Sequence, residues 1–116
     1  MKADVLLFFS SHPEMIPLYE RLEEEILRIC PETVIDVQKS QIAFSCRFRF
    51  AFASMRGERF VVTFGLAERI EHPRIKQASE PYPNRWTHHV IVASAQEIDA
   101  ELMGWIEQAC RFASCK

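Results

Sequence analysis

From Ile42 to Phe52 the chain alternates: Ile42, Phe44, Cys46, Phe48, Phe50 and Phe52 take one set of positions, and Ala43, Ser45, Arg47, Arg49 and Ala51 the other. Side chains of a strand point alternately to opposite faces, so the pattern predicts one aromatic face and one small, basic face. Aromatic residues suit a pleated, half-buried surface, and the phenylalanines of this face are enough to anchor a core. The stretch is long for one strand. Two arrangements stay open: a single strand, or a hairpin split by a turn or bulge near Cys46-Arg47. The split changes which face Arg47 and Arg49 occupy.

The other elements follow from the same kind of pattern. Val5–Phe9 fits either a strand or a short helix, and the short helix is preferred. Ser11-His-Pro-Glu14 has the form of a capping box, followed by Met15, Leu18, Tyr19, Leu22, Ile26 and Ile29 at helical spacing, with Pro31 as the stop. Glu20, Arg21, Glu23, Glu24 and Glu25 form its solvated side. Val34, Ile35 and Val37 read as a first strand. Met55-Arg-Gly-Glu58 reads as a hairpin turn with Gly57 supplying a positive φ, and Arg59–Leu66 as a central strand. Residues 67–86, with Pro73, Pro81 and Pro83, read as a long irregular connection, a class that is often functional. Thr87–Ala93 returns to strand. Ser94-Ala-Gln-Glu97 reads as a second capping box, opening a helix that buries Ile98, Leu102, Trp105, Ile106 and Ala109. The sum is an α+β domain spanning residues 1–116. It has an antiparallel sheet of four or five strands, packed on its phenylalanine face against an N-terminal and a C-terminal helix.

Composition changes this picture little. With 116 residues, 48% of them hydrophobic and 26% charged, the chain is ordinarily globular and able to bury a core. The apolar run Val5–Phe9 is too short to span a bilayer and lacks the form of a signal peptide, so no membrane partner is expected, and the cytoplasm is the expected compartment. Cys30, Cys46, Cys110 and Cys115 make no CxxC pair and no zinc spacing, so they are expected as buried thiols, with no metal and no cofactor. Cys115, near the terminus, is the one expected to oxidise most readily.

Charge is more informative, because the net −2 conceals a segregation. Residues 1–38 carry 3 basic and 8 acidic side chains, residues 39–90 carry 9 basic and 4 acidic, and residues 91–116 carry 2 basic and 4 acidic. Acidic helices around a basic centre focus positive potential onto the sheet. A plainer account is that Arg and Lys keep the solvent face of a sheet soluble and its edges unpaired.

The candidate chemistry gathers in Glu80-Pro-Tyr-Pro-Asn-Arg-Trp-Thr-His-His89. Arg85 offers a planar fork for phosphate or carboxylate, and Trp86 a stacking surface. The plainer account has Tyr82 and Trp86 folding back to plug the core. His88 and His89 are adjacent on a strand, so they point to opposite faces and do not share a metal. No spacing supplies either with an orienting carboxylate and a nucleophile, and with 3 Gly in the chain no nucleotide-binding fingerprint exists. Arg47, Arg49, Arg56, Arg59, Arg74, Lys76 and Arg85 can all fall on or around one sheet face. That is a platform for single-stranded nucleic acid, though the pI of about 6.1 argues against it.

Val37-Gln-Lys-Ser-Gln-Ile42, Phe64-Gly-Leu66, His72-Pro-Arg-Ile75, Pro83-Asn-Arg-Trp-Thr-His-His89 and Glu97-Ile-Asp-Ala-Glu-Leu102 together resemble a bacterial domain-of-unknown-function family. That family is itself distantly similar to YdhG-like and YjbR-like α+β domains. The resemblance covers almost the whole chain, with Arg-Trp-Thr-His-His as its most specific part. It implies an antiparallel sheet flanked by helices, and no catalytic residue or cofactor.

The expectation is therefore a non-catalytic binding module for an anionic ligand, a phosphorylated small molecule or, second, a nucleic acid. Arg74 and Arg85 are the expected anion contacts, with Lys39 beside them. Trp86 is the stacking wall, and His88 or His89 the hydrogen-bond donor. A histidine-dependent hydrolase and a homodimer built on Tyr82 and Trp86 are the alternatives. The hydrolase requires a carboxylate within hydrogen-bond reach of its histidine.

Overall fold

The structure, a computed structural model, describes residues 3–82 and 85–114, and of Gln77, Pro81, Tyr82 and Ser114 only the backbone. Cys115 and the side chain of Tyr82, both singled out in the sequence, lie outside the described residues. Among the described residues three α-helices, α1 (Ala3–Phe8), α2 (Ile16–Ile29) and α3 (Ala100–Ser114), accompany six strands. These are β1 (Val34–Val37), β2 (Ile42–Ser45), β3 (Arg49–Arg56), β4 (Arg59–Leu66), β5 (Ile75–Tyr82) and β6 (Arg85–Val92). All neighbours pair antiparallel, in the order β1-β2-β3-β4-β6-β5. This is the α+β architecture expected, with a sixth strand drawn from the segment read as irregular. Among the described residues, no helix is long and apolar enough to cross a membrane.

The alternating stretch is split as one of the two arrangements foresaw. Ile42 pairs with Ala53 and Phe44 with Ala51, but Ser45 pairs with Arg49, so Phe50 is one residue too many on β3. Such a bulge reverses the alternation of everything beyond it. The single aromatic face therefore does not form. Phe44 and Phe50 are buried in the core, Phe48 is 45% exposed, and Phe52 is left on the opposite face beside Ala43 and Thr63. The inward positions of β3 are then alanines, Ala51 and Ala53, both fully buried. Their small side chains leave room for α3, which packs across β3 and β4 and against α2.

One face of the sheet carries the core. Phe44, Phe60, Val62, Phe64, Val90 and Val92 point from it into the helices and meet Leu22, Ile26, Leu102 and Ile106. Tyr19 stacks on Phe44 at 6.2 Å, Phe9 tilts onto Tyr19 at 5.5 Å, and Phe64 stacks on Trp105 at 5.8 Å. The helices start later than the capping-box motifs suggested. Pro13–Met15 forms a separate 3₁₀ turn with no side-chain cap from the preceding residue, and α2 begins at Ile16 with Pro17 in its first turn, where no N–H is required. Ala95–Glu97 likewise forms a 3₁₀ turn, and the Leu102 amide donates to Asp99 Oδ1 at 3.1 Å. Asp99, and not Ser94, is the residue that caps α3.

Candidate functional site

The face of the sheet turned away from the helices is open, and the bulges decide what stands on it. Val61 pairs with Ile91 and Thr63 with His89, which makes a floor across β4 and β6. Arg56 and Arg59 face each other across the Gly57-Glu58 turn. On β5, Ile75 pairs with Val90 and Gln77 with His89, so Lys76 is an extra residue and is re-aimed beside the floor. Arg56, Arg59, Lys76 and His89 with Val61 and Ile91 line a cavity of about 340 Å³. No acidic side chain lines it, and among the described residues none of these three cations makes an ion pair.

His89 is fixed within this cavity by its Nδ1, 2.9 Å from Thr63 Oγ1. Burial, then the neighbouring Arg56 guanidinium and His88, hold its pKa below the usual histidine value. The ring is thus neutral beside three cations. An anion entering the cavity reverses that bias, because a negative charge favours the imidazolium.

His88, one residue away, points into the core as the alternation requires. It is fully buried and stacks on Phe64 at 5.1 Å. Its Nε2 accepts a 3.0 Å hydrogen bond from the Ile70 amide, which pins the connection from β4 to β5 where it crosses over β6. Acceptance at Nε2 places the proton of the neutral ring on Nδ1, which finds no acceptor in good hydrogen-bond geometry among the described residues. Burial is the main reason that its pKa is depressed. No carboxylate among the described residues lies within hydrogen-bond reach of either histidine.

The remaining expected contacts are scattered. Arg74 is held by carboxylates: its Nη1 donates to Asp99 at 3.0 and 3.2 Å and to Glu101 at 3.1 Å, and its Nη2 to the Glu97 carbonyl at 2.7 Å. His72 joins the same clasp, with Nε2 3.1 Å from Glu101 and Nδ1 accepting from the Arg74 amide at 3.2 Å. Both its nitrogens are occupied, and the clasp fastens the β4–β5 connection to the start of α3. Arg85 reaches the Arg49 carbonyl at 3.4 Å and lines a smaller cleft of about 120 Å³ with Phe48, Phe112 and Ala113. It stands four residues from His89 on β6, roughly 13 Å at strand spacing, so one small ligand does not touch both. Trp86 lies under the Arg69 guanidinium at 5.9 Å, and Lys39 is exposed in the β1–β2 turn. Arg49 pairs with Asp36 at 3.7 Å, and Arg47 lies over Phe48 at 5.8 Å. Of the six expected site residues, the cavity gathers His89 alone. Its cations Arg56, Arg59 and Lys76 appear in the sequence only as members of a general basic set, since the bulge that turns Lys76 is written in no short motif.

A second cluster of chemistry lies inside the core. The sulfurs of Cys30, Cys46 and Cys110 all lie within 4.8 Å of one another, and none is in a disulfide. Burial, helped by the two neighbouring thiols, pushes the Cys110 thiol up to about 12. The three residues are far apart in the sequence, so spacing rules give no hint of the grouping.

A family model described as "Domain of unknown function (DUF5655)" matches residues 7–113. The chain belongs to that family. No curated protein and no solved structure matches it. Membership in the DUF5655 family brings no activity with it, so function has to be argued from the site.

Proposed function

We propose that this DUF5655 domain binds a small phosphorylated molecule on the open face of its sheet, among Arg56, Arg59, Lys76 and His89. The observation that carries the reading is the cavity itself, with three cations, a neutral histidine and no acidic lining residue. Its volume of about 340 Å³ falls at the lower end of small-ligand pockets. The apolar floor of Val61 and Ile91 suits an organic body carrying the charged group. Binding is favoured over hydrolysis because His88 and His89 have no orienting carboxylate among the described residues, which a general base of that kind needs. Arg74 is left out of the ligand set because two carboxylates already hold its guanidinium. The family's distant likeness to YdhG-like and YjbR-like α+β domains belongs to this reading as a resemblance of fold, and Arg85-Trp-Thr-His-His89 as the most specific part of the resemblance to the family itself.

The test is a thermal-shift and calorimetric titration with pyrophosphate, sugar phosphates, nucleoside mono- and diphosphates and short single-stranded RNA, at low and physiological salt. Wild type is compared with Arg56→Gln, Lys76→Gln and Arg85→Ala. A charge-assisted hydrogen bond contributes about 1.5–3 kcal/mol, so each open-face variant is expected to weaken binding roughly tenfold or more. Arg85→Ala is expected to leave affinity unchanged. A flat panel, or loss of binding in Arg85→Ala alone, overturns the assignment. A response to RNA with a steep salt slope and none to small phosphates transfers it to nucleic acid.

A further inference from the structure

The three clustered sulfurs are independent of the open-face cavity. Cys30 ends α2, Cys46 lies in the connection between β2 and β3, and Cys110 lies in α3, so three separate segments deliver one donor each. Two of these segments are bonded in place by their own backbone. The Cys30 amide donates to the Ile26 carbonyl at 2.8 Å, and its carbonyl accepts from the Thr33 amide at 3.1 Å and the Thr33 hydroxyl at 2.7 Å. The Cys46 amide donates to the Phe48 carbonyl at 3.2 Å.

The donor set is all sulfur, with no imidazole or carboxylate in the group. Thiolate sulfur selects zinc and copper(I), and disfavours oxygen-seeking cations such as magnesium and calcium. Zinc–sulfur bonds of about 2.3 Å in tetrahedral geometry set sulfur–sulfur separations of about 3.8 Å. The observed separations are at most 4.8 Å, so the trio has to contract by no more than about 1 Å. A disulfide, by contrast, requires about 2.05 Å, joins only two of the three and strands the third.

Charge decides between the two thiophilic ions. Each sulfur that binds gives its proton to solvent, so three thiolates bring three negative charges into a region where Cys30 and Cys110 are each 8% exposed. A divalent ion leaves one uncompensated charge, a monovalent ion leaves two, and buried uncompensated charge is costly. We propose that Cys30, Cys46 and Cys110 form a trithiolate zinc site that ties α2, the β2–β3 connection and α3 together. Cys46 is the half-buried member of the three, so solvent approaches the site from its side.

The experiment uses the full chain, expressed with zinc and purified under reducing conditions, as wild type, Cys46→Ser and Cys115→Ser. Cys46 is chosen because a half-buried site tolerates serine better than the buried ones. Metal content is measured by elemental mass spectrometry, and cobalt(II) is exchanged in to read the sulfur-to-metal charge-transfer band. The expected result is one zinc per chain with a cobalt band of trithiolate intensity in wild type and Cys115→Ser. Cys46→Ser, with an unchanged circular dichroism spectrum, is expected to bind at least tenfold more weakly. A strong chelator is expected to lower the melting temperature of wild type and leave that of Cys46→Ser unchanged. Folded wild type with neither zinc nor a cobalt band overturns the proposal. So does equal binding by Cys46→Ser, loss confined to Cys115→Ser, or a mass two hydrogens short in the purified chain, which marks a disulfide instead.

Discussion

The pair His88 and His89 makes the stability of this domain sensitive to mild acid, and the direction of the effect follows from their placement. Both are held below the usual histidine pKa, His88 fully buried and His89 between the strands and Arg56. In the unfolded chain both titrate near 6.5. Above about pH 7.5 each is neutral in both states and contributes nothing to the pH dependence. As pH falls through 6.5 the unfolded chain binds protons that the folded one refuses, so stability falls with pH until the folded pKa is reached. The limiting slope is about 1.4 kcal/mol per pH unit for each histidine, over the range where the unfolded ring is protonated and the folded ring stays neutral. Urea unfolding at pH 7.5, 6.5 and 5.5 measures it directly. His88→Gln, whose amide oxygen can still accept from the Ile70 amide, is expected to reduce the pH-dependent loss whatever its effect at pH 7.5. A stability constant across this range, or an unchanged slope in His88→Gln with His89→Gln, refutes the argument.

Two further substitutions test the loop clasp and the hairpin. Arg74→Ala removes four hydrogen-bond contacts and leaves Asp99 and Glu101 without their cation, so chemical denaturation is expected to show a loss of about 1.5–3 kcal/mol. Arg74→Lys recovers little, since one ammonium does not replace a fork that reaches three groups, and recovery to wild-type stability counts against the clasp. Gly57 sits at φ +63° with nothing within 4 Å of an added Cβ, so Gly57→Ala is expected to cost about 1 kcal/mol from backbone strain alone, while Gly65→Ala, whose Cβ meets the Trp86 carbonyl at an ordinary 3.9 Å, escapes that strain. Equal melting temperatures for the two variants contradict that account.

The elements legible in the sequence were those with long, regular periods. The helical spacing from Leu18 to Ile26 and from Leu102 to Ala109, the Gly57 turn and the opposed faces of His88 and His89 are all realised. What escaped depended on single residues or on distant partners. Phe50 as one extra residue turned Phe52 to the far face, and period-two counting carries no marker for such an insertion. β5 escaped because Ile75–Tyr82 interposes Lys76, Gln77, Ser79 and Glu80 between its few apolar residues, and it is held by pairing with β6 alone. Arg74 read as an anion contact because its partners, Asp99 and Glu101, come from an element that lies beyond β6 in the chain.

The strand order also sets a schedule for folding. β6 lies between β4 and β5, yet it is the last of the three to be synthesised. Among the described residues β5 has no neighbour other than β6, so as it leaves the ribosome it has no ladder to join. The four-strand meander β1–β4 can close through local hairpins, while residues 67–82 wait for β6 to insert and for His88 and Arg74 to fasten the crossover. That makes the β5 edge the last part of the sheet to assemble. A chain halted at Tyr82 would carry all of β5 and still leave β4 with an exposed pairing edge, a surface open to another chain until the last strand arrives.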